Sequence, residues 1–170
     1  MNWAAIDAIS QLISSIAVVV SVLYLASQLR SSTRVARVAA MDAAAAALRD
    51  VTKPFMENAE LGRLWRIGLE NLDTLSPEDQ ARFFHAAHQF LKALETIHYH
   101  YVYGLLDDQL WQGWRELLQH YVCTPGIDYY LSKRSKVFSE RFCKFIGELE
   151  PVSERMTVGN LLGKEKPPSN

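Results

Sequence analysis

Glu95 and His98 are the pair in this sequence best spaced for chemistry. They form an E-x-x-H step, and on a helix a separation of three puts both side chains on neighbouring positions. Di-iron and di-manganese helical bundles use two such pairs and two further glutamates, all turned inward. Here the second pair is missing. Glu116 and His120 stand four apart, and His85 with His88 falls toward the polar side of the same helix. An incomplete ligand set favours the plainer reading of a border carboxylate and a partly buried histidine, each hydrogen-bonded to a neighbour. Glu95 and His98 stand as the candidates for a metal site, in the alternative reading of a carboxylate–histidine metal enzyme. No metal, cofactor or catalytic residue is assigned.

Other chemical signatures fail on spacing. Gly159–Lys164, GNLLGK, approaches a phosphate loop, but it has one residue too few between its glycines. Glu165 stands where Ser or Thr would hold magnesium, and no strand pattern precedes it. The sequence contains no G-x-S-x-G, no H-E-x-x-H and no dinucleotide fingerprint. A Ser/His/Asp triad, whose members need not be neighbours, stays open. Cys123 and Cys143 are the only cysteines and form no CxxC motif, so a reducing compartment accounts for them unpaired. Trp65, Trp111 and Trp114 are of a type common at binding hot spots, but their helical spacing assigns them to a core.

The elements that must position these residues are all helical, and they begin with an anchor. Ala8 to Leu29 holds 22 residues without a charge, closed by Asp7 and Arg30. A membrane-spanning helix needs about 20 mostly apolar residues. A cleaved signal peptide would be shorter and preceded by basic residues. The five serines and two glutamines keep a buried helix of a soluble protein open as the alternative. Arg30, Arg34 and Arg37 follow the segment, so the short N-terminus is expected outside and the rest in the cytoplasm. Trp3 is placed for the outer headgroup level, and the three arginines for the inner one. Ser10, Ser14, Ala17, Ser21 and Gln28 fall on one narrow face, beside Tyr24. Small residues let helices approach closely in lipid, so this stripe reads either as a contact face or as serines bonded back to their own helix.

Residues 31–150 read as one cytoplasmic helical bundle of four or five helices, long enough for a real core. Nothing stops the first helix until Lys53–Pro54, where proline should end or kink it. Val38, Met41, Ala45, Leu48, Thr52 and Phe55 form its expected seam. Asn58 is a plausible cap for a helix to about Glu70 whose apolar side is Leu61, Leu64, Trp65, Gly68 and Leu72. Ser76-Pro77-Glu78-Asp79 is the clearest helix start, and Gly104 the matching stop. Phe83, Ala87, Phe90, Leu91, Leu94, His98, Tyr101 and Leu105 crowd one side of that helix. An aspartate before Leu110 caps the next helix, buried through Leu110, Trp111, Trp114, Leu117, Leu118 and Tyr121. A short helix over Ile127–Arg134 follows, then one capped by Ser139 with Phe142, Phe145, Ile146 and Leu149 inward. Residues 151–170 lose periodicity and read as a flexible tail.

The succession VSVLYLASQLR, ENAELGRLWRIGL, LSPEDQARFF, GLLDDQLWQGW, PG and FSERFCKFI resembles a family of short bacterial single-span membrane proteins of unknown function. The resemblance covers roughly Ile9 to Leu149 and implies location and architecture only. His98 stands where the resemblance leads one to expect an aromatic residue, which counts against a family-wide metal ligand.

The net charge of −1 gives no broad pull toward nucleic acid. The expectation is an all-α protein with a transmembrane anchor over residues 1–30, in the bacterial inner membrane. It would be non-enzymatic, with the lipid bilayer and another membrane protein or its own copies as partners.

Overall fold

The structure is a computed structural model and describes residues 3–150, where it has six α-helices, two 3-10 turns and no strand. The tail, with its GNLLGK segment, lies outside the described residues. The chain divides into two compact units, Met1–Ala40 and Met41–Asn170. The first helix, α1 (Trp3–Glu57), crosses this division as one element.

In the first unit every described side chain from 10 to 39 is exposed. Leu12, Ile13, Ile16, Leu23, Leu25 and Leu29 are each more than half exposed. Apolar surface left in water costs about 25 cal/mol per Å². This stretch gains nothing from burial within the chain. By length and composition, Ser10–Glu57 is able to cross a membrane, and its most apolar stretch buries nothing within the chain.

Proline does not end α1 where the sequence suggests. Pro54 lies inside the helix, which runs on to Glu57. A proline removes one N–H, but its carbonyl still accepts, here from Asn58 N–H at 3.0 Å. The Asn58 side chain then caps α2 (Ala59–Glu70), accepting from the backbone N–H of Glu60 and Leu61. The buried seam of α1 is also turned from the expected one. Ala44 is buried, and Leu48, Val51 and Phe55 pack on the core, while Val38, Met41 and Ala45 are exposed. These four keep 4-3-4 spacing, so the same period holds with its face rotated. Alanine-rich stretches leave this choice to the neighbours, because Ala44 and Ala45 differ in nothing but direction.

The remaining boundaries follow their caps. Ser76 accepts from Asp79 N–H at the start of α3 (Pro77–Val102), and Gly104 follows its end at φ 70°. Asp107 accepts from Leu110 N–H ahead of α4 (Asp108–Val122). Leu110 itself stays exposed, so the buried side of α4 is Trp111 and Leu118, with Trp114, Leu117 and Tyr121 half-buried. Helix α5 (Pro125–Arg134) starts two residues earlier than expected. A 3-10 turn, Ser135–Val137, leads to α6 (Glu140–Gly147), capped by Ser139.

The core of the second unit is aromatic. Phe83, Phe90, Phe142, Leu91, Ile97, Leu118 and Ile127 are fully buried. Trp65 stacks on Phe55 at 4.9 Å and lies against Phe83, Phe90 and Tyr121. Helix α2 meets α3 and α5 through two glycines. A Cβ on Gly126 would collide with the Gly68 carbonyl oxygen, and one on Gly68 would enter the Phe83 ring. The bare Gly126 lets backbone meet backbone, and the bare Gly68 makes room for the Phe83 ring.

Candidate functional site

Helix α3 carries the candidate chemical residues on the face turned to α5 and α6. Glu95 and His98 are both buried, at 6% and 5% exposure. Glu95 is nevertheless fully occupied. One carboxylate oxygen accepts from Lys92 Nζ at 2.7 Å, and the other from the Ser139 backbone N–H at 2.7 Å. Lys92 also donates to the Val137 carbonyl at 2.8 Å and lies 5.0 Å from the centre of the Phe138 ring. Two residues one turn apart on α3 thus bracket residues 137–139, the link into α6. Burial works to raise the Glu95 pKa. The Lys92 ammonium and the Ser139 donors outweigh it and hold the carboxyl below its ordinary range.

His98 sits among rings. It stacks on Phe145 at 4.6 Å and lies 5.5 Å from Trp111 and 5.7 Å from Phe142. Its Nδ1 is buried without a hydrogen-bond partner. Burial pushes its pKa down, the Arg141 charge adds to this, and Glu95 opposes it. A neutral imidazole packed as an aromatic is the result. Across the same face, His88 Nδ1 and the Tyr130 hydroxyl share a hydrogen bond of 2.9 Å. Burial raises the Tyr130 pKa, so the phenol keeps its proton.

The sequence pairs Glu95 with His98, whereas the structure pairs Glu95 with Lys92 and Ser139. Among the described residues, no group of three His, Cys, Asp or Glu side chains converges to hold a metal. Glu116 and His85 are exposed, and His120 is half-buried. Lys92 was legible in the sequence, three residues before Glu95 on one helix face. The Ser139 and Val137 contacts were not, because they join residues more than 40 positions apart.

The other candidate site is the α1 stripe. Ser10, Ser14, Ala17, Ser21 and Gln28 are all exposed, and Asp7, Ser10, Gln11, Ser14 and Ser15 line a shallow open groove. Ser21 Oγ donates to the Ala17 carbonyl at 2.8 Å, and Gln28 Nε2 to the Tyr24 hydroxyl at 2.8 Å. These bonds use the Ser21 proton, while its oxygen remains able to accept across an interface. Trp3, Arg30, Arg34 and Arg37 are exposed as well.

No protein-family model, no curated protein and no solved structure matches this chain.

Proposed function

We propose that this chain is a non-enzymatic, single-pass protein of a bacterial inner membrane, with its N-terminus outside and its helical bundle in the cytoplasm. It docks that bundle at the bilayer and assembles with another membrane protein, or with its own copies, through Ser10, Ser14, Ala17, Ser21 and Gln28. The observation that carries this reading is the uncharged stretch from Ala8 to Leu29, helical throughout, whose described side chains are all exposed. Three arginines on its C-terminal flank support the orientation. The small side chains of the stripe would let a second backbone approach closely, and close approach drives helix association in lipid.

Native mass spectrometry of the full-length chain, released gently from its membranes, tests the assembly. A mass at a multiple of 19.3 kDa is expected for self-association, and an added second polypeptide for an accessory subunit. Ser14→Leu with Ser21→Leu should return a monomer while the second unit keeps its helical content by circular dichroism. Assembly that survives both bulky substitutions would overturn the stripe.

A further inference from the structure

The end of α5, the link after it and the start of α6 carry the densest run of cations in the described chain. Lys133, Arg134, Lys136 and Arg141 lie within nine residues, against one carboxylate, Glu140. All four are exposed. The ion pairs among the described residues use Lys53, Arg82, Lys92 and Lys144 and include none of them. Two apolar side chains stand in the open beside this run, Val137 at 41% exposure and Tyr129 at 48%. Lys133 Nζ lies 5.4 Å from the centre of the Tyr129 ring.

Like charges this close repel, and a free loop would relieve the repulsion by spreading. This one is held from beneath. Lys92 fixes the Val137 carbonyl, Glu95 fixes the Ser139 N–H, and Phe138 is buried between them. The Phe138 N–H closes the turn onto the Ser135 carbonyl at 3.0 Å, and Cys143 Sγ reaches the same carbonyl at 3.4 Å. The Lys92–Glu95 pair of α3 therefore anchors a turn flanked by four exposed cations. Flexible cations beside an exposed valine and tyrosine suit the headgroup region, where ammonium and guanidinium groups meet phosphate and apolar bodies enter the boundary.

We propose that the Lys133–Arg141 turn is a docking surface for anionic lipid headgroups of the bilayer that holds the chain. The proposal rests on the membrane-anchor reading above. An anchored unit meets lipid at high effective concentration, so a few cations suffice where a free protein would need more.

The test uses the full chain in nanodiscs of phosphatidylcholine alone or with phosphatidylglycerol added. Hydrogen–deuterium exchange of peptides covering 129–141 reads contact with the surface. Exchange should slow several-fold in the anionic discs. It should return to the phosphatidylcholine rate near 1 M salt, where the Debye length is about 3 Å. It should also return in the triple variant K133E/R134E/K136E and partly in R134E. Unchanged exchange in peptides covering 83–98 shows that the variants are folded. A chain that elutes with both kinds of disc but exchanges equally in them overturns the headgroup proposal and leaves the anchor standing. A chain that elutes apart from the discs overturns both. Protection by an RNA oligonucleotide, with none from phosphatidylglycerol, overturns it in favour of nucleic acid.

Discussion

Glu95 is a buried charge whose every lone-pair direction matters. Its two oxygens serve two different segments, and an amide in its place keeps only one acceptor, so either Lys92 Nζ or the part-buried Ser139 N–H loses its partner. A buried polar group left without a partner costs about 1–3 kcal/mol. His98 works through the opposite chemistry, as a neutral ring that burial keeps neutral. Both groups have a pKa lowered by folding. In each case the unfolded chain binds the proton more readily than the folded one, so stability is fully present above the unfolded-state value and is lost as pH falls through the folded-state value. The His98 part begins to go as pH drops below 6.5, its ordinary value, and the Glu95 part only below 4.5. Urea midpoints measured from pH 7.5 to pH 4 should therefore fall on acidification. His98→Phe should flatten the upper part of that decline. Glu95→Gln should lower stability by about 1–3 kcal/mol at neutral pH and flatten the lower part. A midpoint that rises with acid would contradict both assignments.

At the scale of elements, capping and close approach decide where helices begin and how they meet. Asn58, Ser76, Asp107 and Ser139 each accept from the first turn of the helix they precede, so these starts are local events. The α2–α5 contact is different, since the Gly126 backbone can reach the Gly68 carbonyl only because Gly126 has no Cβ. Gly126→Ala should push the two helices apart and cost at least about 2 kcal/mol, by analogy with overpacking elsewhere. Gly113 lies inside α4 with open space where a Cβ would go. Gly113→Ala should stabilise by up to about 1 kcal/mol through helix propensity alone. Thermal melts of the two variants measure opposite signs for the same chemical change. Equal shifts would mean that the glycine contact does not hold α2 against α5.

For the whole molecule, the division at Ala40 and Met41 separates two solutions to the burial of apolar surface. The second unit buries its own aromatic side chains, with Phe83, Phe90 and Phe142 fully enclosed. The first leaves valine, isoleucine and leucine open along a single helix, which in lipid costs nothing. Under the membrane reading proposed above, orientation is a matter of flanking charge. Reporter tags at each terminus, read for protease access in intact cells, should place the N-terminus outside. Replacing Arg30, Arg34 and Arg37 with glutamine and adding lysines before Trp3 should lower or reverse that bias. A C-terminus reachable from outside in the wild-type chain would sink the orientation and, with it, the docking of a cytoplasmic unit.

Helix content, the four capping residues, the uncharged apolar N-terminal stretch and most core aromatics were legible in the sequence because each depends on neighbours within a few positions. Spacing at three and four residues identifies a buried face, and a proline or serine marks a start whatever the rest of the chain does. The continuation of α1 past Pro54 to Glu57 and the rotation of its seam were not legible. A helix that already has neighbours to pack on can carry a proline near its end, and an alanine run leaves its own rotation undecided. Glu95 shows the same limit most sharply. From the sequence it is one half of an E-x-x-H step. Its role as the clamp on Val137–Ser139 appears only when the chain brings together residues more than 40 positions apart, because a hydrogen bond forms on distance in space and not along the chain.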